Sequence, residues 1–114
     1  MDDDESVRES LPDLLLQFGF DAQAFSSAEA FLASHVVSNT SCLILAVAMP
    51  GMSGPDLQQQ LRRRQKQIPI IFVTANRDTS VRARLLAHGA VEFLFKPFSD
   101  TALLDALDAA LRAR

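Results

Sequence analysis

Two short runs restrict the fold more than any other feature. Residues 42–47 read CLILAV and residues 69–73 read PIIFV, with no alternation of apolar and polar side chains. A strand with one wet face alternates, whereas an unbroken apolar run suits a strand covered on both faces, as in a parallel sheet between helices. Around these runs the period changes to three and four. Val7, Leu11, Leu14, Leu15 and Phe18 mark a helix over 5–18 that stops at Gly19. Pro55 suits a first helical turn, with Leu57 and Leu61 giving that helix an inward face. Residues 80–88 form a helix ended by Gly89, and Leu103, Leu104, Leu107 and Leu111 define a last helix over 100–114. Strands separated by helices predict an α/β, doubly wound parallel sheet with right-handed crossovers.

Three further segments complete the pattern. Residues 21–25 read as a short strand, and Ser26 followed by Glu29 matches a capping box opening a helix through residue 34. Residues 91–95 read as the last strand. The basic run Arg62, Arg63, Arg64 falls where cations complement a helix C-terminus, so it reads as a solvated helix end. Only Met1 stands before the acidic run Asp2, Asp3, Asp4, so the first, inner strand of such a sheet is missing ahead of the first helix. Four or five buried aliphatic side chains at about 1.5–3 kcal/mol each would rival a domain's whole stability of roughly 5–15 kcal/mol. The expectation is a chain truncated before Asp2, with a sheet left incomplete or completed by a neighbour through swapping.

The 114 residues suit one domain over 1–114 and leave no room for an output domain. A net charge of −3 argues against non-specific grip on nucleic acid or anionic lipid, and leaves proteins as the expected partners. The single cysteine, Cys42, has no internal disulfide partner and sits in an apolar run, which fits a cytoplasmic setting. No stretch approaches a membrane span, and the start MDDDES is acidic where a secretory signal is basic. His35 and His88 stand alone and suggest no metal site.

In open α/β sheets the ligand crevice lies beyond the carboxyl ends of the strands. The residues there are Asp2 and Asp3 after the absent strand, Ala46, Thr74 and Lys96. Two carboxylates, a hydroxyl and an ammonium suit a hard cation and a phosphoryl group. The nucleophile is absent, because Ala46 offers only a methyl group.

Asp2-Asp3, the run LILAVAMPGMSG, Thr74-Ala75 and Lys96-Pro97-Phe98 resemble the receiver (CheY-like) domain of bacterial two-component response regulators. The spacings of 28 residues from Ala46 to Thr74 and 22 from Thr74 to Lys96 are similar to those receivers, in particular ones joined to LuxR-type output domains, as in FixJ. The resemblance implies a flavodoxin-like fold and a phosphorelay role, with a histidine kinase as phosphodonor and transcription as output. It implies Asp2 and Asp3 as Mg²⁺ ligands with the Ala48 backbone carbonyl, Thr74 and Lys96 on the phosphoryl group, and Phe93 as the switch aromatic. It further implies a cis peptide between Lys96 and Pro97. A dimer face would be built from the family's fourth helix, fifth strand and fifth helix, with Arg82, Arg84 and Asp105 as polar contacts.

One departure decides the chemistry. Position 46 is where the family carries the phosphoaccepting aspartate, and alanine has no oxygen with which to form an acyl phosphate. Neither Asp56 nor Asp78 stands in its place. Ala46 is either an engineered replacement or the mark of a natural pseudo-receiver that works by binding alone. The chain is therefore expected to be no enzyme, phosphorylation-null, with Mg²⁺ affinity weakened by the lost carboxylate. The alternative is a phosphorylation-independent dimerisation or docking module. An aspartyl phosphatase is disfavoured, since it needs the same missing aspartate. Bland readings stand beside the sharp ones: an acidic first turn for Asp2 to Asp4, a strand-end hydroxyl for Thr74, a solvated amine for Lys96 and a core aromatic for Phe93.

Overall fold

The computed structural model describes residues 1, 5–49, 51–74, 79–96 and 98–112. The elements run α1 (Glu5–Gln17), α2 (Ala28–Leu32), a 3₁₀ turn (Val37–Asn39), β1 (Leu43–Ala46), α3 (Gly54–Arg63), β2 (Ile70–Thr74), α4 (Thr79–Ala87), β3 (Glu92–Phe95) and α5 (Asp100–Arg112). The three strands form one parallel sheet in the order β1-β2-β3. The α/β class is as the sequence predicts; the run 69–73 is buried from Ile70 to Val73, with Ile71 and Phe72 completely buried, whereas in the run 42–47 Cys42, Ile44 and Val47 are only partly buried.

Alternate residues of each strand serve two cores. Leu43, Leu45, Ile70, Phe72 and Phe93 pack in a cluster with Phe31 of α2, Leu57 and Leu61 of α3 and Leu85 of α4. Ile71 packs on the other side with Leu15 of α1 and Leu103, Ala106, Leu107 and Ala110 of α5, joined by the partly buried Ile44 and Leu94. Phe18 departs from its expected inward role: it lies past the end of α1 and is 44% exposed.

Two sequence expectations change near α2. The helix is capped by Ser27, not Ser26; the Ser27 side chain accepts the Ala30 N–H, and the helix ends at Leu32. The capping box belongs instead to α3, where Ser53 and Asp56 exchange bonds of 3.2 Å each way ahead of Pro55. Residues 21–25 are not a strand. They pair with no described strand. The Met1 nitrogen donates to the Ile44 carbonyl, and the Ala46 N–H donates to the Met1 carbonyl at 2.9 Å. That is one residue's worth of parallel ladder on β1's outer edge.

Helix ends are closed by left-handed residues. Gly19 (φ 87°) and Gly89 (φ 103°) end α1 and α4 as expected, but α3 ends on Gln65 at φ 57°. There the Gln65 and Lys66 N–H groups donate to the Arg62 and Leu61 carbonyls, a Schellman closure built without glycine. A side chain in that region costs about 1–2 kcal/mol, partly offset by the roughly 0.5–1 kcal/mol that glycine loses in the unfolded chain. Gln65→Gly is expected to stabilise the fold by about 0.5–1 kcal/mol, read as a higher urea midpoint at unchanged slope; an unchanged or lower midpoint contradicts this strain.

Candidate functional site

The ladder register brings the candidate residues together. Ala46 pairs with Val73, one residue before Thr74, and Thr74 pairs with Phe95, one residue before Lys96. Strands in a sheet lie about 4.8 Å apart, so Ala46, Thr74 and Lys96 stand side by side at the carboxyl edge. Backbone bonds continue past the strands: Val47 N–H donates to the Val73 carbonyl at 3.1 Å and Lys96 N–H to the Thr74 carbonyl at 2.8 Å. Thr74 and Lys96 are half-buried, and Ala46 is buried in the apolar cluster with Leu45 and Val73. Ala48 is exposed at the start of the following loop. Asp2, Asp3 and Pro97, and with Pro97 the expected cis peptide, lie outside the described residues.

Phe93 is buried, with its ring 6.4 Å from that of Phe72 and 5.4 Å from that of Phe95. It thus forms part of the core below the strand ends, as the bland reading has it, and its side chain lies two residues before Phe95 and three before Lys96.

The loop after β1 is held from two sides. Gly54 N–H donates to the Val47 carbonyl at 3.0 Å, and a Cβ on Gly54 would run into the Ala46 carbonyl oxygen. Glycine is required here for close approach, since the backbone angle is not left-handed. On the other side, the Glu29 carboxylate accepts the Met52 N–H at 2.7 Å. Its oxygen lies 2.9 Å from where a Gly51 Cβ would sit, and Gly51 has φ 76°. The sequence hid this contact: Glu29 fits a capping pattern, and nothing in local spacing ties it to an amide 23 residues away.

The described residues bring few oxygen donors to the strand ends. The strand ends provide a methyl, a hydroxyl and an ammonium, and no three His, Cys, Asp or Glu side chains gather among the described residues. Mg²⁺ asks for oxygens, carboxylates above all.

With this geometry in place, comparison with known proteins is decisive. A family model described as the response regulator receiver domain matches residues 1–108. The chain belongs to the response regulator receiver family. It is 46% identical over 110 residues to Nodulation protein W of Bradyrhizobium diazoefficiens, covering 96% of this chain and 48% of that protein. It is 44% identical over 112 residues to Response regulator protein TodT of Pseudomonas putida, covering 98% of this chain and 49% of that protein. Among solved structures, the response regulator StyR superposes with a TM-score of 0.91 at 45% identity, over 99% of this chain and 57% of that one. The FixJ-N structure gives 0.89 at 35% identity, over 100% of this chain and 91% of that one. The receiver thus spans about half the length of the curated relatives it matches. None of the described helices is long and apolar enough to cross a membrane.

Glu29 carries a testable electrostatic signature. Donation by the Met52 amide holds its carboxyl below the usual range, Ser27 adding a smaller effect in the same direction. A lowered folded value means the loop contact contributes stability above the unfolded Glu value near 4.3, and loses it as pH falls through the folded value. The Met52 amide proton shift is expected to titrate with a midpoint below about 4.3, and Glu29→Gln to abolish the titration. A midpoint at or above that value contradicts the tether.

Proposed function

We propose that this chain is the receiver half of a two-component transcriptional regulator whose phosphoacceptor position is blank. It acts as a signalling domain and not as an enzyme. Receivers take a phosphoryl group from a histidine kinase and generally bind Mg²⁺ at that site. The observation that carries the proposal is the register that aligns Ala46 with Thr74 and Lys96. Thr74 would donate its hydroxyl to a phosphoryl oxygen, and the Lys96 ammonium would neutralise the phosphoryl charge. Ala46 supplies no nucleophilic oxygen, so the chain is phosphorylation-null at this position. Asp2, Asp3 and the Ala48 carbonyl would be the remaining Mg²⁺ ligands, too few for tight binding without the acceptor carboxylate.

A second reading has its own support. Ala46 is 4% exposed within the apolar core, and no buried side-chain nitrogen or oxygen lacks a partner among the described residues. A methyl buried at that strand end favours a pseudo-receiver that signals by dimerisation or docking. The face of α4, β3 and α5 would serve, with Arg82, Arg84 and Asp105 exposed on its helices.

Ala46→Asp separates the two readings. Burying a carboxylate at this position is expected to destabilise the protein by about 1–3 kcal/mol without a cation, and Mg²⁺ is expected to restore part of the loss. Incubated with acetyl phosphate and Mg²⁺, the aspartate variant should gain one phosphoryl group by intact mass while the native chain gains none. A folded variant that stays unlabelled overturns the receiver reading.

A further inference from the structure

The loop that leaves β1 is tied to α2 by one side chain. Its two ends are closed where the Gly54 N–H donates to the Val47 carbonyl at 3.0 Å. Between those ends, the Glu29 carboxylate accepts the Met52 N–H at 2.7 Å, across 23 residues of sequence. We propose that Glu29 is a positioning residue for the strand-end site, holding this loop in the shape that phosphoryl acceptance at position 46 requires. The role rests on the receiver reading and adds to it a residue that lies outside the strand ends.

Glu29 can hold the loop because it is itself held. Ala28 and Phe31 of the same helix are buried in the cluster that contains Ala46, Leu57 and Phe72, so α2 is a fixed support. The bond is charge-assisted, which makes it stronger than one between neutral groups. On the loop side, Met49 is buried and the partly buried Met52 packs against the same cluster. The loop is therefore gripped by two methionines in the core and by Glu29 at the surface. Gly51 completes the fit. It is exposed at φ 76°, and a Cβ there would stand 2.9 Å from Glu29 Oε1, so glycine leaves the space that the carboxylate occupies.

The loop begins and ends against position 46. It leaves the strand one residue beyond Ala46, and it returns at Gly54 so closely that a Cβ there would overlap the Ala46 carbonyl oxygen. With an aspartate at 46, a carboxylate oxygen would bond to phosphorus as the phosphorus–oxygen bond to acetate breaks, and acetate would leave with the electron pair. Such a displacement depends on placement, and an error of about 1 Å can cost about a hundredfold in rate. A loop released at Met52 keeps its two closed ends and loses its fixed shape between them. The bland alternative is a surface bond that adds only stability. The two differ in whether rate falls apart from melting temperature.

The test places three variants in the Ala46→Asp background. Glu29→Ala removes the acceptor, and Glu29→Gln keeps an oxygen that can accept the Met52 N–H. Ser34→Ala removes a bond at the other end of α2, from the Ser34 hydroxyl to the Phe31 carbonyl at 2.6 Å, and does not touch the loop. Each is read for its labelling rate at saturating acetyl phosphate with Mg²⁺ and for its melting temperature. Hydrogen exchange at the Met52 amide is followed in the native chain and in its Glu29→Ala variant, where no labelling is needed. Glu29→Ala is expected to lower the labelling rate by about tenfold, Glu29→Gln to keep the Ala46→Asp rate, and Ser34→Ala to keep it whatever its melting temperature. The Met52 amide is expected to exchange faster without Glu29. An unchanged labelling rate in Glu29→Ala overturns the role, as does an equal fall in Ser34→Ala, a failure of Glu29→Gln to keep the rate, or unchanged Met52 exchange. Absence of labelling in a folded Ala46→Asp protein overturns the receiver reading and this role with it, whereas labelling that Glu29→Ala leaves untouched overturns the role alone.

Discussion

The β2 ladder is the interaction on which the rest of this receiver depends. Ile71 and Phe72 are fully buried because α5 covers one face and α3 with α4 the other, and their backbone groups are then obliged to pair with β1 and β3. That obligation fixes the register. The register in turn puts Ala46, Thr74 and Lys96 on neighbouring strand ends without any contact between their side chains being needed. The candidate site is thus a consequence of core packing carried to the carboxyl end of each strand.

The two edges of that sheet differ in kind. At β3 the sheet ends against α4 and α5. At β1, among the described residues, Met1 extends the ladder beside the cavity that segment 19–25 also lines. The effect reaches residues 21–25, whose Ala and Phe composition suits a strand but which find no strand to pair with.

Much of this was legible in the sequence because burial writes directly into it. The unbroken runs at 42–47 and 69–73 announced strands covered on both faces, and Gly19 and Gly89 announced helix ends. Thr74 and Lys96 were candidate site residues because each closes or follows a strand. The rest depends on contacts that span the chain. Ser26 and Ser27 stand equally well before a helix, and choosing between them needs to know that Glu29 is engaged by Met52. Gln65 in a left-handed conformation has no local signature, since Gln is ordinarily a helix former. The capping role of Ser53 was masked by Pro55, which accounts for the helix start by itself.

The proposed function requires a receiver site whose acceptor oxygen is missing at Ala46. The most direct measurement is titration of the native chain and Ala46→Asp with trifluoroberyllate, an acyl-phosphate mimic, in the presence of Mg²⁺, following the Thr74 and Lys96 amides by NMR. Saturable shifts at both amides are expected in the aspartate variant and none in the native chain. Equal shifts in both proteins, or none in a folded aspartate variant, would contradict it.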